Sequence, residues 1–415
     1  MSVGIVGLGY VGLPLAVAFA EAGRDVVAMD VDPRKVEAIR AGSSYIEDIS
    51  DERLQAVVGR IEATSRSAAL AHSDAVLICV PTPLTANREP DLGPLLDAGH
   101  ALAGILQAGQ LVVLESTTYP GTTRERLLPV LEESGLAAGR DFNLAFSPER
   151  VDPGRTDFTL RNTPKVVGGL TEACGDRAQA LYATVCDEIV RVSTTEVAEM
   201  SKLLENIFRS VNIALVNELA ILANRMDVDI WEVVDAAATK PYGFMRFEPG
   251  PGMGGHCLPV DPFYLSWRAR EFDMATEFIE LAGKINQNMP YHCVQRIERA
   301  LNDDGKAVRG AKIALIGVSY KAGVGDMREA PALKIALLLS GLGADLRYHD
   351  PYVPELRDSG LASLELDEAL SDADCAVIVT AHPDVDHDLV IERVPLVVDL
   401  RGITRGAAQP SVHRL

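Results

Sequence analysis

The sequence Ser2-Val-Gly-Ile-Val-Gly-Leu-Gly-Tyr-Val-Gly12 decides the fold class of this 415-residue chain. It opens with a short apolar run that predicts a buried strand. Gly7, Gly9 and Gly12 follow in the spacing Gly-x-Gly-x-x-Gly, ahead of a helical stretch over residues 13–22. Such glycines make a tight turn and let backbone N–H groups reach a pyrophosphate at a helix N-terminus. The stretch therefore predicts a Rossmann-like unit that binds a dinucleotide; the alternative is that the glycines serve helix packing alone.

The end of the second predicted strand indicates which dinucleotide is bound. An apolar run over residues 25–29 leads into Asp30, at about the distance from the glycines where a carboxylate meets the ribose hydroxyls of adenosine. A carboxylate at this place would repel a 2′-phosphate. The sequence therefore predicts NAD, rather than NADP, as the cofactor.

The composition limits the classes of partner. The chain has 39 Lys and Arg against 59 Asp and Glu, and its net charge of −20 argues against a nucleic-acid or anionic-membrane partner. No run approaches the roughly 18 apolar residues of a membrane span, and no secretory signal is visible. The six cysteines lack metal-ligand spacing, and His382 with His387 indicates a solvated loop. We therefore expect a cytoplasmic protein with no metal site.

The order of predicted strands and helices indicates an α/β fold with two Rossmann-like, doubly wound domains joined by a central helical region. The domains are predicted over residues 1–195 and 301–415, with the helical region over 196–300. That region begins with a long helix near residues 195–226, which can carry a dimer interface. Strands after residue 30 are predicted at 75–80, 111–115, 143–146, 165–167, 189–192, 312–317, 344–348, 376–380 and 396–399.

One cysteine points to the chemistry. Cys257 lies in Pro251-Gly-Met-Gly-Gly-His-Cys-Leu-Pro-Val-Asp261, where paired glycines leave the backbone bare for a ligand. A simple alcohol dehydrogenase needs no nucleophile, whereas a thiolate beside a nicotinamide can hold an aldehyde covalently for a second oxidation. The combination predicts that an alcohol is oxidised to a carboxylate; the alternative is a buried structural thiol.

Seven motifs follow one another along the chain: Gly7-Leu-Gly-Tyr-Val-Gly12, Val80-Pro-Thr-Pro83, Glu115-Ser-Thr-Thr-Tyr-Pro-Gly-Thr122, Ser147-Pro-Glu-Arg150, Lys202-Leu-Leu-Glu-Asn206, Gly254-Gly-His-Cys257 with Asp261, and Tyr348-His-Asp-Pro351. In this order they resemble the UDP-glucose/GDP-mannose dehydrogenase family over nearly the whole chain. The resemblance implies an NAD domain, a central dimerisation region that contains the cysteine loop, and a C-terminal domain that binds a UDP-sugar. It also implies oxidation of the sugar C6 hydroxyl to a carboxylate with two NAD.

The same resemblance implies the catalytic residues. Cys257 would attack the C6 aldehyde, and the thiohemiacetal would be oxidised to a thioester that water hydrolyses. Lys202 and Asp261 would handle protons and the developing oxyanion, and Glu149 would act through the hydrolytic water. The remaining catalytic assignments are Thr117, at the water or the cofactor, and Asn206, at the reacting sugar, while His256 would shape the loop.

The implied binding residues divide into two sets. The cofactor set is Gly7, Gly9, Tyr10, Val11, Gly12, Asp30, Lys35, Thr82, Thr117 and Arg328. The substrate set is Arg150, Val151, Lys202, Asn206, Arg209, Gly254, Tyr320, Lys321 and Arg401.

The residues after Glu149 bear on the sugar. Relatives that oxidise glucose usually carry an aromatic residue and a leucine there, whereas Arg150-Val151 resembles the N-acetylhexosamine branch, and Arg209 belongs to the same pattern. The sequence favours UDP-N-acetylglucosamine and leaves UDP-N-acetylmannosamine and UDP-glucose open.

Three other classes share part of this pattern. A β-hydroxyacid dehydrogenase would lack the cysteine motif, and a non-catalytic NAD or nucleotide-sugar sensor would be free to lose Cys257, Lys202 and Asp261 together. A nucleotide-sugar epimerase would carry a Tyr-x-x-x-Lys pair on a helix. A dehydrogenase that works as a homodimer or larger homo-oligomer agrees with all the motifs.

Overall fold

A computed structural model describes the chain except for Glu47, Ala86, residues 152–156, His256, Asp358 and residues 406–410, and it describes only the backbone of Cys257. The chain forms two compact units. The first unit contains Met1–Glu205 and Phe263–Ala275, and the second contains Asn206–Pro262 and Thr276–Leu415.

The first unit is built on an eight-stranded sheet in the order β3-β2-β1-β4-β5-β6-β7-β8. The strands are β1 (Val3–Val6), β2 (Val26–Met29), β3 (Ile61–Thr64), β4 (Ala75–Ile78), β5 (Leu111–Leu114), β6 (Asn143–Phe146), β7 (Lys165–Gly169) and β8 (Ile189–Val192). Neighbouring strands are parallel except β6 and β7, which run antiparallel with Phe146 opposite Gly168. The start of β7 therefore lies beyond the carboxyl end of β6.

Six helices of the first unit connect these strands: α1 (Gly12–Glu21), α2 (Pro33–Arg40), α3 (Asp51–Val57), α4 (Gly93–Ala103), α5 (Leu128–Glu132) and α6 (Glu172–Tyr182). Capping side chains define several starts, because the side chains of Asp32, Ser50 and Thr171 each accept a hydrogen bond from a backbone N–H in the first turn. The core packs α1 and α6 against the sheet through fully buried residues such as Leu15, Phe19 and Tyr182.

The next helices in the described chain are α7 (Thr195–Met226), α8 (Ile230–Ala238), α9 (Cys257–Ala269) and α10 (Glu277–Asp303). The division between the units falls within α7, after Glu205, and within α9, after Pro262. Helix α7 buries six polar or charged residues, namely Thr195, Glu199, Lys202, Asn206, Ser210 and Asn217. By length and composition alone it would also be long enough to cross a membrane, with 39% of its most apolar window buried, a test that core helices of soluble proteins pass as well.

The second unit contains a parallel sheet in the order β10-β9-β13-β14-β15 and a small antiparallel pair, β11-β12. Its strands are β9 (Lys312–Ile316), β10 (Asp345–His349), β11 (Glu355–Leu356), β12 (Leu361–Ala362), β13 (Cys375–Ile378), β14 (Val397–Asp399) and β15 (Val412–Arg414). Its remaining helices are α11 (Pro331–Leu342), α12 (Leu366–Leu370) and α13 (His387–Arg393). Buried apolar clusters lie on both faces of this sheet, as in a doubly wound fold.

The predicted fold class is confirmed, including the two doubly wound sheets and the long helix over residues 195–226. Strands β3, β11, β12 and β15 were not predicted from the sequence, and neither was the antiparallel direction of β7 relative to β6.

Candidate active site

The glycine turn after β1 fits a dinucleotide pyrophosphate. Gly7 has φ +92°, and a Cβ at Gly12 would lie 1.8 Å from the Gly7 carbonyl oxygen, so both positions require glycine. Among the described residues, no atom lies within 4 Å of a Cβ placed on Gly9, so the turn is open there. Helix α1 begins at Gly12, and the side chain of its N-cap residue, Val11, makes no capping hydrogen bond. The Leu13 N–H already donates to the Gly9 carbonyl oxygen at 3.1 Å and Pro14 has no N–H, so Gly12 is the helix residue whose N–H suits a phosphate.

Asp30 directly follows β2, and its carboxylate binds the backbone of the glycine turn. Its Oδ2 accepts hydrogen bonds from the Leu8 N–H at 2.8 Å and from Lys35 Nζ at 2.9 Å, and its Oδ1 accepts from the Asp32 N–H at 2.9 Å. A carboxylate has about four lone-pair sites, and these three bonds leave one site, on Oδ1, for a ribose hydroxyl. Two of the sequence-predicted cofactor residues, Asp30 and Lys35, are thus brought together beside the glycine turn.

Two further predicted cofactor residues meet where β4 and β5 end. The Thr82 hydroxyl donates to the Thr117 carbonyl oxygen at 2.7 Å, and the Tyr264 hydroxyl donates to the Thr82 carbonyl oxygen at 2.9 Å. Thr118 is buried, and its hydroxyl has no hydrogen-bond partner among the described residues. The residue predicted from the sequence is Thr117, and the unpartnered hydroxyl of its neighbour Thr118 can also bind a ligand or a water.

Glu199, a residue the sequence analysis missed, anchors the turn after Thr118. Its carboxylate is fully buried and accepts from the Gly121 N–H at 2.6 Å, the Thr123 N–H at 2.8 Å and the Thr123 hydroxyl at 2.7 Å. Burial raises the pKa of Glu199 to about 7, although these donors oppose the shift. Its position three residues before Lys202, on the same helix, is the sequence signal that could have identified it.

The turn after β6 brings together Glu149 and Lys202. Lys202 Nζ donates to the Glu149 carbonyl oxygen at 2.5 Å, and Lys202 is only 7% exposed. The Glu149 carboxylate accepts from the backbone N–H groups of Arg150 at 2.7 Å and Val151 at 2.5 Å. The Arg150 guanidinium pairs with Glu205 at 2.9 Å and donates to the Pro164 carbonyl oxygen at 2.6 Å. The first unit thus assembles four of the predicted residues.

In the second unit, Asn206 is paired with Asp261. Its Nδ2 donates to Asp261 Oδ2 at 2.5 Å, its Oδ1 accepts from Arg209, and both Asn206 and Asp261 are almost fully buried. Asp261 lies one turn into α9, the helix that begins at Cys257. The side chains of His256 and Cys257 lie outside the described part of the chain.

The segment before Cys257 packs closely on the loop after β9. A Cβ on Gly254 would lie 2.6 Å from Tyr320 Cβ, and one on Gly255, at φ +86°, would lie 2.9 Å from the Tyr320 ring. The Gly255 N–H donates to the Arg328 carbonyl oxygen at 2.8 Å, while the Arg328 guanidinium bonds to Asp326. Only glycine fits under Tyr320, which brings two sequence-predicted substrate residues, Gly254 and Tyr320, together.

Two buried asparagines fix the start of the same segment. The Asn217 side chain accepts from the Gly250 N–H at 2.9 Å and donates to Asn286 Oδ1 at 2.9 Å. Asn286 in turn donates to the Ser210 carbonyl oxygen at 3.1 Å. Neither asparagine was predicted from the sequence as a site residue, although a polar residue on an apolar helix face indicates a buried hydrogen bond.

Arg401 and Lys321 lie at the carboxyl edge of the second sheet. Arg401 Nε donates to the Val379 carbonyl oxygen at 2.8 Å, its Nη1 lies 3.0 Å from the position of a Cβ on Gly250, and burial lowers the pKa of its guanidinium. The Lys321 carbonyl oxygen accepts from the Ser319 hydroxyl at 2.9 Å. A partly buried guanidinium at this edge suits an anionic ligand.

The interpretation of His382 as part of a solvated loop was wrong. His382 is only 1% exposed; its Nε2 lies 3.0 Å from Asp350 Oδ2, and its Nδ1 accepts from the Gly323 N–H at 3.1 Å. Because both ring nitrogens have hydrogen-bond partners, the ring is buried at the edge of the sheet, although its neighbours in the sequence are acidic. Among the residues that the structure describes, no group of three or more His, Cys, Asp and Glu is placed to hold a metal ion.

Family models match the chain in three consecutive parts. Residues 1–186 match the NAD binding domain, 196–288 the central domain and 314–406 the UDP binding domain of the UDP-glucose/GDP-mannose dehydrogenase family. The chain is 37% identical to UDP-N-acetyl-D-mannosamine dehydrogenase of Pyrococcus horikoshii over 98% of this chain and 100% of that protein. It is 35% identical to UDP-N-acetyl-D-glucosamine 6-dehydrogenase of Pseudomonas aeruginosa over 85% of this chain and 83% of that one.

The solved structure of the UDP-D-ManNAc dehydrogenase of Pyrococcus horikoshii superposes with a TM-score of 0.92 at 35% identity, covering 100% of this chain and 99% of that one. A UDP-glucose dehydrogenase from Pyrobaculum islandicum superposes with a TM-score of 0.89 at 28% identity, covering 99% and 96%.

We expect Glu199→Gln to change how stability depends on pH. The pKa of about 7 lies above the ordinary value of 4.5, so the folded chain holds a proton that the unfolded chain releases between these two values. The stabilisation from this group is complete below about pH 4.5 and is lost as pH rises through about 7, by up to about 1.4 kcal/mol per pH unit. Guanidinium unfolding at pH 5.5, 6.5 and 7.5 should therefore show wild type losing stability relative to the variant.

The control for this measurement is Glu62→Gln, which removes an exposed carboxylate from β3. Its stability should stay parallel to wild type across the same pH values. A constant difference between wild type and Glu199→Gln would contradict the raised pKa of Glu199.

Proposed function

The chain belongs to the UDP-glucose/GDP-mannose dehydrogenase family and is an NAD-dependent nucleotide-sugar dehydrogenase, and we propose that it oxidises the C6 hydroxyl of a UDP-N-acetylhexosamine to the uronate. The observation that carries this proposal is the start of α9 at Cys257, with the buried Asp261–Asn206 pair one turn further. A helix N-terminus favours negative charge on a side chain. It therefore suits a thiolate that holds the C6 carbon between two oxidations.

The overall reaction consumes the alcohol, two NAD and one water, and it yields the carboxylate, two NADH and three protons. Bound NAD supplies the hydride acceptor in each oxidation. We assign its binding to the turn of Gly7, Gly9, Tyr10, Val11 and Gly12 and to Asp30, Lys35, Thr82, Thr117 and Arg328. Its pyrophosphate suits the open turn, and a ribose hydroxyl suits the Asp30 carboxylate, which disfavours NADP.

We assign the covalent steps to this chain's own residues. The Cys257 sulfur forms a bond to the C6 aldehyde carbon, and the thiohemiacetal is oxidised to a thioester. Lys202 and Asp261 move protons and stabilise the oxyanion, and Asn206 hydrogen-bonds the sugar. In hydrolysis, Glu149 takes a proton as the water oxygen bonds to the carbonyl carbon, and the C–S bond then breaks with its electron pair leaving on sulfur.

We assign the nucleotide part of the substrate to the second unit, consistent with the UDP binding domain matched over residues 314–406. Tyr320, Lys321 and Arg401 are the proposed contacts, with Arg209 and Gly254 nearer the sugar. The proposed domain limits remain 1–195, 196–300 and 301–415.

Both epimers of the N-acetylhexosamine are candidate substrates. The Arg150-Val151 pair favours UDP-N-acetylglucosamine, whereas the Pyrococcus horikoshii relative, which aligns over its full length, supports UDP-N-acetylmannosamine. The two sugars differ only at C2, so both belong in the assay.

We also propose that a second copy of this chain covers an apolar stripe on α7. In the second unit the stripe consists of Phe208, Leu215, Leu219, Leu222 and Met226, which are 42–63% exposed. Residues spaced three, four or seven apart lie on one side of a helix, and a continuous exposed apolar face marks an interface. A helix pairs readily with its own copy through such a face in a two-fold dimer.

The thioester mechanism predicts two NADH for each sugar consumed and no free aldehyde. Cys257→Ser should still bind NAD and sugar but should lose turnover by several orders of magnitude, because a hydroxyl without an adjacent base is a poor nucleophile. Absorbance at 340 nm with quantified uronate measures the ratio. Cys293→Ser, at a fully buried core cysteine, is the control and should retain both the ratio and most of the rate. One NADH per sugar would exclude the second oxidation.

The assignment of the sugar predicts that at least one UDP-N-acetylhexosamine has a kcat/KM at least about 10-fold above that of UDP-glucose, or about 1.4 kcal/mol. Arg150→Ala should narrow this ratio, since a charge-assisted hydrogen bond contributes roughly 1.5–3 kcal/mol. Arg161→Ala, at an exposed arginine paired with Asp187, should leave it unchanged. A higher kcat/KM for UDP-glucose would contradict the sugar class and leave the dehydrogenase activity intact.

If this dimer forms, the double variant Leu215→Glu with Leu219→Glu should shift the mass measured by sedimentation velocity from dimer to monomer. The introduced carboxylates of the two copies would be buried together across the interface. Leu337→Glu, at a residue 66% exposed on α11, should leave the dimer intact. A monomeric wild-type chain at micromolar concentration would rule out this interface.

A further inference from the structure

A buried lysine lies beneath the turn that carries Glu149. The Lys165 ammonium is 2.7 Å from Glu115 Oε2, donates to the Pro148 carbonyl oxygen at 3.0 Å, and lies 3.9 Å from Glu149 Oε2. The Tyr182 hydroxyl donates to the other Glu115 oxygen. Lys165, Glu115 and Tyr182 are each no more than 2% exposed. One buried ammonium thus faces two carboxylates, of which Glu115 is buried and Glu149 is partly exposed.

The antiparallel direction of β7 explains how the lysine reaches this place. β5 and β6 end at the carboxyl edge of the sheet, whereas β7 begins there, and Lys165 is its first residue. Glu115 directly follows β5, and residues 147–149 directly follow β6. Three neighbouring strands therefore bring their ends to the same point.

Two lysines hold consecutive carbonyl groups of the turn after β6. Lys165 binds the carbonyl oxygen of Pro148, and Lys202 binds that of Glu149. The Glu149 carboxylate is also held, because its Oε1 accepts two backbone N–H groups while its Oε2 faces Lys165. Both the backbone and the side chain of Glu149 depend on the ammonium of Lys165.

We propose that Lys165, supported by Glu115 and Tyr182, is a positioning residue that orients Glu149 for hydrolysis of the thioester. This inference rests on the proposed function, since it assigns Lys165 to the last step of that reaction. Lys165 touches neither substrate nor cofactor in this role. Its charge and its bond to Pro148 fix the carboxylate that accepts the proton from water, a kind of alignment on which rates depend steeply.

The test uses the double variant Lys165→Met with Glu115→Gln, which removes both buried charges together and so avoids an unpaired ion. Rapid mixing with NAD and the better UDP-sugar should give a burst of two NADH per active site at close to the wild-type rate. Steady-state turnover should then be at least 10-fold slower than in wild type. Intact-mass analysis of the quenched reaction should detect the sugar bound to the protein as a thioester.

Three further proteins are measured in the same experiment. Tyr182→Phe keeps the Lys165–Glu115 ion pair and should slow only steady-state turnover, by a smaller factor than the double variant does. It therefore provides the test if the double variant does not fold. Lys312→Met, at the lysine that begins β9 and is partly exposed, should behave as wild type. Wild type itself reports on the proposed function, because one NADH per sugar, or none with any nucleotide sugar, would reject the thioester.

Two outcomes overturn the proposal when wild type yields two NADH. The first is steady-state turnover of the double variant within about two-fold of wild type, with no adduct detected. If the double variant does not fold, the same result for Tyr182→Phe overturns the proposal. The second is an equal loss in the NADH burst and in the steady state, which would mean that the cluster supports the fold or the binding of substrates rather than hydrolysis.

Discussion

The pairing of the Lys165 ammonium with the Glu115 carboxylate is the interaction on which the carboxyl edge of the first sheet depends. Three strands end or begin there, and each contributes polar groups to a largely buried cluster. A buried carboxylate without a counter-ion is costly, whereas a bonded pair with a tyrosine hydroxyl is tolerated. Lys165 also bonds the Pro148 carbonyl oxygen, and the next carbonyl oxygen, that of Glu149, accepts from Lys202.

In the second unit, the segment before Cys257 is held by neutral groups. The segment is held by amide groups from Asn217 and by close packing of Tyr320 on Gly254 and Gly255. Neutral amides avoid the desolvation of charge, and glycines allow an aromatic ring to lie directly on the backbone. The turn after β6 is thus held by charge, and the segment before Cys257 by shape and neutral hydrogen bonds.

Local patterns predicted most of the fold, because buried parallel strands are apolar runs and the glycine turn has a fixed spacing. The strands at 143–146 and 189–192 were predicted to the residue. The direction of β7 could not be predicted, since antiparallel and parallel pairing leave the same short apolar run. Lys165 and Glu115, which are 50 residues apart, likewise meet only through the sheet. His382 was misread for the converse reason: the acids beside it in sequence suggested solvent, while its partners come from Asp350 and Gly323.

The hydrogen bonds of the segment before Cys257 have a consequence for its motions. Residues 249–255 form no helix or strand, and such segments usually exchange their amide hydrogens quickly. Here the Gly250 amide is bonded to the buried Asn217 side chain, and the Gly255 amide to the carbonyl oxygen of Arg328. Exchange at either amide requires the asparagine pair or the Tyr320 contact to open. In deuterium these two glycines should therefore exchange as slowly as strand residues, and their protection would report on the rigidity of the segment that leads to the nucleophile.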